Sequence, residues 1–454
     1  ASVTGIIRKH NGVISVSSTL DVGTTFTILL PTVPAPAAKY DLSQGKSVTT
    51  GGARKILVVD DEAELRTVFR HILERNGFQV VEAKDGEDAL VQFSRDSDGF
   101  DCVLLDLMMP EVDGFTVLHE LKLDDRLANT SFIVVSAKAY DFDRKQVLRQ
   151  GADGFLNKPI NPSTFTERLE RILGDHMSVG FWGCRGTLPV PGEQSLKYGG
   201  NTSCVSIEFP NDQLFVFDAG TGIKRLSDYL LSQKRQKIEG KIFISHPHWD
   251  HINALPFFAP LYMQGNEFEV LGAKHGELTM REIVSAQMDG VYFPITLNEF
   301  AARIYFPDLY EETLNVGNIE IKTMLLSHPG VCLGYRVNYK GRSLCYITDN
   351  ELYFEDNLYY NPQYENNLAD FIRGSDVLII DSSFTDEEYK AKIGWGHSCI
   401  SRVVDIAHKG EVKNLYLFHH EPNQTDGDID VKLVTAQDLL KELDSDTICH
   451  CPKE

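Results

Sequence analysis

Between Lys241 and Phe258 the chain reads KIFISHPHWDHINALPFF. A strand-length apolar run ends at Ser245, and the residues from His246 to His251 then carry three histidines and an aspartate. A cluster this dense must be presented by a rigid strand and completed from other strands, which restricts the chain to folds whose sheet rims converge. Alternate residues of an extended segment point the same way, so His246 and His248 can share one ion while Asp250 and His251 face a second. Each ion needs several protein ligands and an open position for water. The missing ligands should close other apolar strands, as His328 does in MLLSHPGVC, Asp349 in LCYITDNE and His419 in NLYLFHHEP. His420 follows His419 directly, and a shift of one residue in register would exchange the two. Imidazole and carboxylate ligands suit Zn, Mn and Fe alike.

The surrounding chain, 454 residues long, has room for about three domains. Its 42% apolar and 24% charged residues suit packed, soluble cores. The eight cysteines form no C-x-x-C pair, no apolar run is long enough to span a membrane, and no secretory signal precedes the first domain, so a cytoplasmic location is expected. The formal net charge of −21 opposes attraction to nucleic acid or to anionic lipid. A stretch rich in Pro, Ala, Gly, Ser and Thr, Pro31 to Ala53, reads as a linker. From Lys55, apolar strand runs alternate with helical patterns five times, which predicts a doubly wound, five-stranded parallel sheet, an α/β fold. After Asp175 many short strands with interspersed helices predict a second, sheet-rich α/β domain. The expected organisation is therefore 1–34, a linker at 35–53, a first domain at 54–175 and a second at 177–454.

In a parallel sheet, chemistry collects at the carboxyl ends of the strands. Here those ends carry Asp60 and Asp61, Asp106, Ser136 and Lys158. A single aspartate there would read as a helix cap, but three neighbouring carboxylates repel one another unless a divalent cation, Mg²⁺, lies among them. Asp106 can then attack a phosphoryl donor while Lys158 and Ser136 hold the phosphoryl oxygens. The motifs LVVDDE, LLDLMMPEVDG, VVSAKA and FLNKPI resemble those of response-regulator receiver domains. The resemblance implies Asp106 as phosphoacceptor, Asp60 and Asp61 as Mg²⁺ partners, Ser136 and Phe155 as switch residues, Lys158 as phosphate contact and a cis Lys158–Pro159 bond. It also implies a histidine kinase or phosphotransfer protein as donor and admits a homodimer. The first segment, GIIRKHNGVISVSSTLDVGTTFTILLP, reads as a helix start, two amphipathic strands and a Gly-Thr-Thr turn. It resembles the C-terminal end of a histidine kinase ATP-binding domain, without that family's nucleotide motifs.

The histidine-rich turn, FVFDAGTG, FWGCRGTLPVPG, KYGGNTSCVSIE and GWGHSC resemble the metallo-β-lactamase fold, an αββα sandwich, and within it the ribonuclease Z-like and phosphoribosyl cyclic phosphodiesterase-like branch. The resemblance implies His246, His248 and His328 on one ion, Asp250, His251 and His419 on the other, Asp349 bridging, and Asp218 as the structural aspartate that orients the loop. It places His397 as a catalytic proton donor with Asp381 as its partner, Asp standing where that branch carries Glu. Two divalent metals, with Zn in first place, would acidify a shared water and clamp a phosphodiester. Tyr292 and Phe293 could wall a substrate pocket. Transfer-RNA maturation needs a projecting basic arm, which this acidic chain lacks. The expected protein is a metal-dependent hydrolase of small phosphodiesters, with Asp250 in its catalytic set, regulated by receiver phosphorylation across a joint of only Asp175 and His176. A lactone or thioester hydrolase and a non-catalytic, phospho-switched adaptor are the alternatives.

Overall fold

The computed structural model describes residues 13–19, 23–29, 54–95, 99–110, 112–122, 127, 130–136, 146–148, 150–174, 177–210, 212–233, 235, 237–291 and 294–454. The chain divides into two compact units, Ala1–Gly52 and Ala53–Glu454. In the first, β1 (Val13–Thr19) and β2 (Gly23–Leu29) form an antiparallel hairpin. Gly23 to Thr25, expected as the turn, instead begin β2, with Gly23 opposite Thr19. β-branched threonines favour the extended ladder over a turn. The expected helix start and the joint at Asp175 and His176 lie outside the described residues.

The second unit begins with β3 (Lys55–Val59), β4 (Gln79–Ala83), β5 (Cys102–Asp106), β6 (Ser131–Ser136) and β7 (Gly154–Asn157). They form one parallel sheet in the order β4-β3-β5-β6-β7. Its strands are almost continuously apolar because helices cover both faces. Ile56, Val58, Leu104 and Ile133 pack with Phe69, Leu73 and Leu169 on one side. The alternating residues Leu57, Val59, Leu105 and Phe132 pack with Val117, Leu118 and Leu121 on the other.

Two further sheets follow. The first holds β8 (Ser178–Gly183), β9 (Cys204–Glu208), β10 (Leu214–Phe217), β11 (Glu239–Phe243), β12 (Glu267–Ala273) and β13 (Arg303–Tyr305), with β14 (Asp308–Leu309) also on β12. The second runs in chain order: β15 (Thr313–Val316), β16 (Ile319–Leu325), β17 (Leu333–Tyr339), β18 (Arg342–Ile347), β19 (Val377–Asp381), β20 (Asn414–Phe418) and β21 (Ile448–His450). Period-two alternation builds the layers. Phe215, Phe217 and Phe243 meet Tyr335, Tyr346 and Phe418 between the sheets, while their neighbours Leu214, Val216 and Ile242 meet Leu226 and Leu230 of the helix Ile223–Ser232 on the outside. Leu378 and Ile380 likewise meet Leu368, Ile372, Val403 and Val404 of the helices beyond the second sheet. The result is helix, sheet, sheet, helix, with the carboxyl ends of β10, β11, β18, β19 and β20 at the rim that carries the histidines. All eight cysteines are free and seven are buried. Among the described residues no helix is long and apolar enough to cross a membrane.

The parallel sheet and the sandwich touch through two hairpin tips. Asn318, between β15 and β16, donates its amide to Asp153, and Lys340, between β17 and β18, donates to Ser131 Oγ at 3.2 Å. Ser131 opens β6 and Asp153 immediately precedes β7. These contacts therefore lie at the amino ends of the parallel strands, opposite Asp106.

Candidate metal centre

β11 delivers Ser245 to His251, β16 leads to His328, β18 to Asp349 and β20 to His419. On one side of the resulting cluster His248 Nδ1 lies 2.8 Å from His246 Nε2 and 3.2 Å from His328 Nε2. Asp349 Oδ2 faces the same group, 3.5 Å from His246 Nε2 and 3.8 Å from His328 Nε2. On the other side Asp250 Oδ2 lies 3.1 Å from both His251 Nε2 and His419 Nε2. Asp349 Oδ1 faces this second group at 3.2 and 3.1 Å from the same two nitrogens. One carboxylate thus presents one oxygen to each half. His419 is the member of the His-His pair that joins the cluster. His420 is fully buried, where burial and the charges of Lys432 and Arg185 hold it neutral.

The ring orientations are fixed from behind. Asp218, completely buried, accepts from Ser245 N (2.7 Å), Ser245 Oγ (2.9 Å) and Tyr346 OH (2.7 Å), and its Oδ2 lies 2.7 Å from His251 Nδ1. His328 Nδ1 is 3.0 Å from the carbonyl of Gly396, and Thr187 N donates to Asp250 Oδ2 at 2.8 Å. Asp218, Asp349 and His419 adopt left-handed φ values of 59°, 45° and 60°, an uncommon conformation outside glycine that turns each side chain back over the rim. Gly396 (φ 87°) is required: a Cβ there would meet the His328 ring at 2.3 Å.

Burial lowers the proton affinity of His246, His248 and His328, and neighbouring imidazoles add to the effect. Burial opposes the charge on Asp250 and Asp349, but the surrounding histidines prevail and hold both carboxyls well below their usual range. Beside the cluster His397 Nδ1 lies 2.7 Å from Asp381 Oδ2, and the His397 ring stacks on His419 with centroids 5.0 Å apart. Burial disfavours a proton on His397, yet Asp381 outweighs it and pushes the ring up to about 9.

A second cluster closes β3 and β5. Ligand atoms of Asp60, Asp61 and Asp106 lie within 4.8 Å of one another, with Asp60 and Asp106 buried and Asp61 exposed. Lys158 Nζ donates to Asp60 Oδ2 (2.8 Å) and to Asp106 Oδ2 (2.7 Å). Burial raises the Asp60 pKa against the pull of Lys158. The Lys158–Pro159 bond is cis, Ser136 is buried at the end of β6, and its carbonyl accepts from Lys158 N at 2.9 Å.

With both geometries in view, comparison with known proteins separates the two regions. Residues 56–170 match the family described as response regulator receiver domain, and 214–420 the beta-lactamase superfamily domain. The chain joins a receiver domain to a metallo-β-lactamase-fold domain. It is similar to the alkaline phosphatase synthesis transcriptional regulatory protein PhoP of Bacillus subtilis, 36% identical over 120 residues, which are 26% of this chain and 48% of that protein. The chain thus spans about half the length of this curated relative. The solved metallo-β-lactamase fold protein YhfI from Bacillus subtilis aligns at 17% identity over 62% of this chain and 98% of its own, with a TM-score of 0.45. A diphosphatase from the PhnP family aligns at 15% identity over 62% of this chain and 96% of its own, with a TM-score of 0.42.

The donor set of the metallo-β-lactamase-fold domain suits divalent metal. His251 Nδ1 is committed to Asp218, and its fully buried Nε2 has no hydrogen-bond partner although two carboxylate oxygens lie within 3.2 Å. Lone pairs facing lone pairs in a buried site are stabilised by a cation. The receiver triad suits Mg²⁺ on the same ground, three hard oxygen ligands at one point.

Several site residues escaped the sequence reading. Glu351, buried, accepts from Gly394 N and Gly396 N at 2.7 Å each and from Tyr389 OH at 2.9 Å, and so fixes the loop that holds His328 and presents His397. Ser383 donates to Asp381 Oδ1 and to the His419 carbonyl, both at 2.7 Å. Their signal was positional: Glu351 follows Asp349 by two residues and Ser383 follows Asp381 by two. Tyr292 and Phe293 lie outside the described residues.

Proposed function

We propose that the chain is a phosphorylation-regulated, dinuclear metallohydrolase whose substrates are small phosphodiesters. The observation that carries this reading is the division of Asp349, with one carboxylate oxygen toward His246 and His328 and the other toward His251 and His419. His246, His248 and His328 would hold one divalent ion, Asp250, His251 and His419 the other, and Asp349 both. Such a pair supplies Lewis-acid charge stabilisation and an acidified water at neutral pH. Asp218, Ser245 and Gly396 keep the ligating nitrogens aimed inward. Water attacks phosphorus and releases one proton to solvent, the P–O bond to the leaving group breaks, and His397, oriented through Nδ1 by Asp381, gives its Nε2 proton to the departing oxygen and regains one from solvent. Asp381 is held by Asn350 N at 3.2 Å and Ser383 N at 2.9 Å, so the shorter carboxylate still reaches the ring.

In the receiver, an Asp106 carboxylate oxygen attacks the phosphohistidine of a histidine kinase or phosphotransfer protein, a P–O bond forming as the P–N bond breaks; Asp60, Asp61 and Asp106 would hold the Mg²⁺ that supplies charge stabilisation, and Lys158 moves from carboxylate to phosphoryl contact. The hairpin tips at Asn318 and Lys340 give that event a route, since β16 runs from the first tip toward His328 and β18 from the second toward Asp349. The test is hydrolysis of bis(p-nitrophenyl) phosphate by the metal-reconstituted full chain, with and without beryllofluoride and Mg²⁺. Metal-dependent turnover that changes severalfold with beryllofluoride is expected. Absent turnover contradicts the hydrolase, and equal rates contradict the coupling.

A further inference from the structure

The chain has three tryptophans, and two are placed unusually. Trp182 is half-buried, donates to Ser206 Oγ at 2.8 Å and packs on Tyr229. Trp249 and Trp395, by contrast, are 82% and 60% exposed. Indoles are highly buried on average, so two in water invite an explanation. Each adjoins the candidate site. Trp249 stands between His248 and Asp250, and Trp395 lies two residues before His397.

Neither ring rides on a loosely held backbone. Trp249 opens the helical turn Trp249–Ile252, its carbonyl accepting from Asn253 N at 2.8 Å, while the Asp250 side chain is fixed by Thr187 N. Trp395 is clasped on both sides, because Glu351 holds Gly394 N and Gly396 N. Lys392 Nζ lies 5.4 Å from the Trp395 ring and is itself paired with Glu421 at 3.2 Å. A rigidly presented, exposed indole binds a flat π-system at low ordering cost, and base–aromatic stacking is tolerant of which base is present. The net charge of −21 disfavours a long polyanion and favours a small ligand carrying a single diester.

We propose that Trp249 and Trp395 are specificity-determining residues that stack on the heterocyclic base of a mononucleotide phosphodiester while its phosphate lies at the metal cluster. The inference rests on the phosphodiesterase reading and names its substrate class. The experiment compares thymidine 5′-(p-nitrophenyl) phosphate with methyl p-nitrophenyl phosphate, which share a leaving group, on the metal-reconstituted full chain. The nucleoside diester should show the higher kcat/KM by about tenfold or more, chiefly through KM. Trp249→Ala and Trp395→Ala should each lower that ratio about fivefold or more, and the Phe variants should keep most of it. A wild-type ratio near one, with both diesters cleaved, overturns the assignment and leaves the phosphodiesterase intact, and so does a ratio indifferent to both alanine variants. Cleavage of neither diester removes the phosphodiesterase reading and this assignment with it.

Discussion

In the receiver, the Lys158 ammonium sits between Asp60 and Asp106, 2.8 and 2.7 Å from their oxygens. Behind the metallo-β-lactamase-fold site the buried Lys432 bonds instead to the carbonyls of Ser382 and Ser383 and to Gln424 Oε1. The two lysines shift in opposite directions. Burial opposes the charge on Lys158, but its bonds to Asp106 and Asp60 prevail and raise its pKa, whereas burial lowers Lys432 to about 8. The difference shows how each site is balanced. The receiver carries an internal cation between its carboxylates, one that Mg²⁺ and a phosphoryl group would displace under the proposed function. The other cluster has no lysine among its seven converging imidazole and carboxylate ligands, the donor set that a bound divalent metal would balance.

The largest effect that would break this comparison is expected at Asp349. Asp349→Ala removes a carboxylate that faces both halves, and diester turnover should fall by about a thousandfold or more, with bound metal dropping below two per chain in elemental mass spectrometry. Chelation comes next. Hydrogen exchange on the full chain should show loss of protection around His246–His251, Asp349 and His419 on metal removal, while β3 to β7 keep theirs, because the receiver holds its own cation. Equal loss in both regions would erase the distinction. Lys158→Met should then destabilise the receiver by about 3 kcal/mol by leaving buried carboxylates unpaired, and millimolar Mg²⁺ should recover most of that in denaturant unfolding.

The smallest effect is the pH dependence from Lys432. The folded chain releases this proton near pH 8 and the unfolded chain near 10.5, so between those values the unfolded state binds more protons. Stability from this group therefore rises as pH climbs from 8 to 10.5 and is lost on falling back through 8. Relative to Lys432→Met, the wild-type unfolding free energy should gain on the order of 2 kcal/mol across that window. A flat difference would show that Lys432 keeps its charge when buried.

Much of both sites could be read from residue types at strand ends. Asp60, Asp106 and Lys158 each close an apolar run, and so do His328, Asp349 and His419, because a sheet rim is where a parallel strand can offer a side chain to a neighbour. The supporting contacts were invisible for a physical reason. Glu351 acts on the backbone amides of Gly394 and Gly396, more than forty residues away, and Tyr346 reaches Asp218 across the sandwich. Such bonds impose no periodicity and no spacing on the sequence. The Gly-Thr-Thr misreading has the opposite origin: a local turn signal was outweighed by the pairing of β1 with β2. The contact between the domains was not legible because a short joint limits distance but not orientation, and the turn signals at Gly317–Asn318 and Lys340–Gly341 mark hairpins without marking what their tips touch.

Each carboxylate oxygen of Asp349 is expected to serve one of two ions. The most direct measurement is metal stoichiometry by elemental mass spectrometry on the full chain after reconstitution and desalting in Mg²⁺-free buffer, for wild type and for Asp250→Ala, with turnover on the same samples. Two transition-metal ions per wild-type chain, and one with abolished turnover in Asp250→Ala, are predicted. One ion or none in the wild type, or two ions and full activity in the variant, would contradict the account.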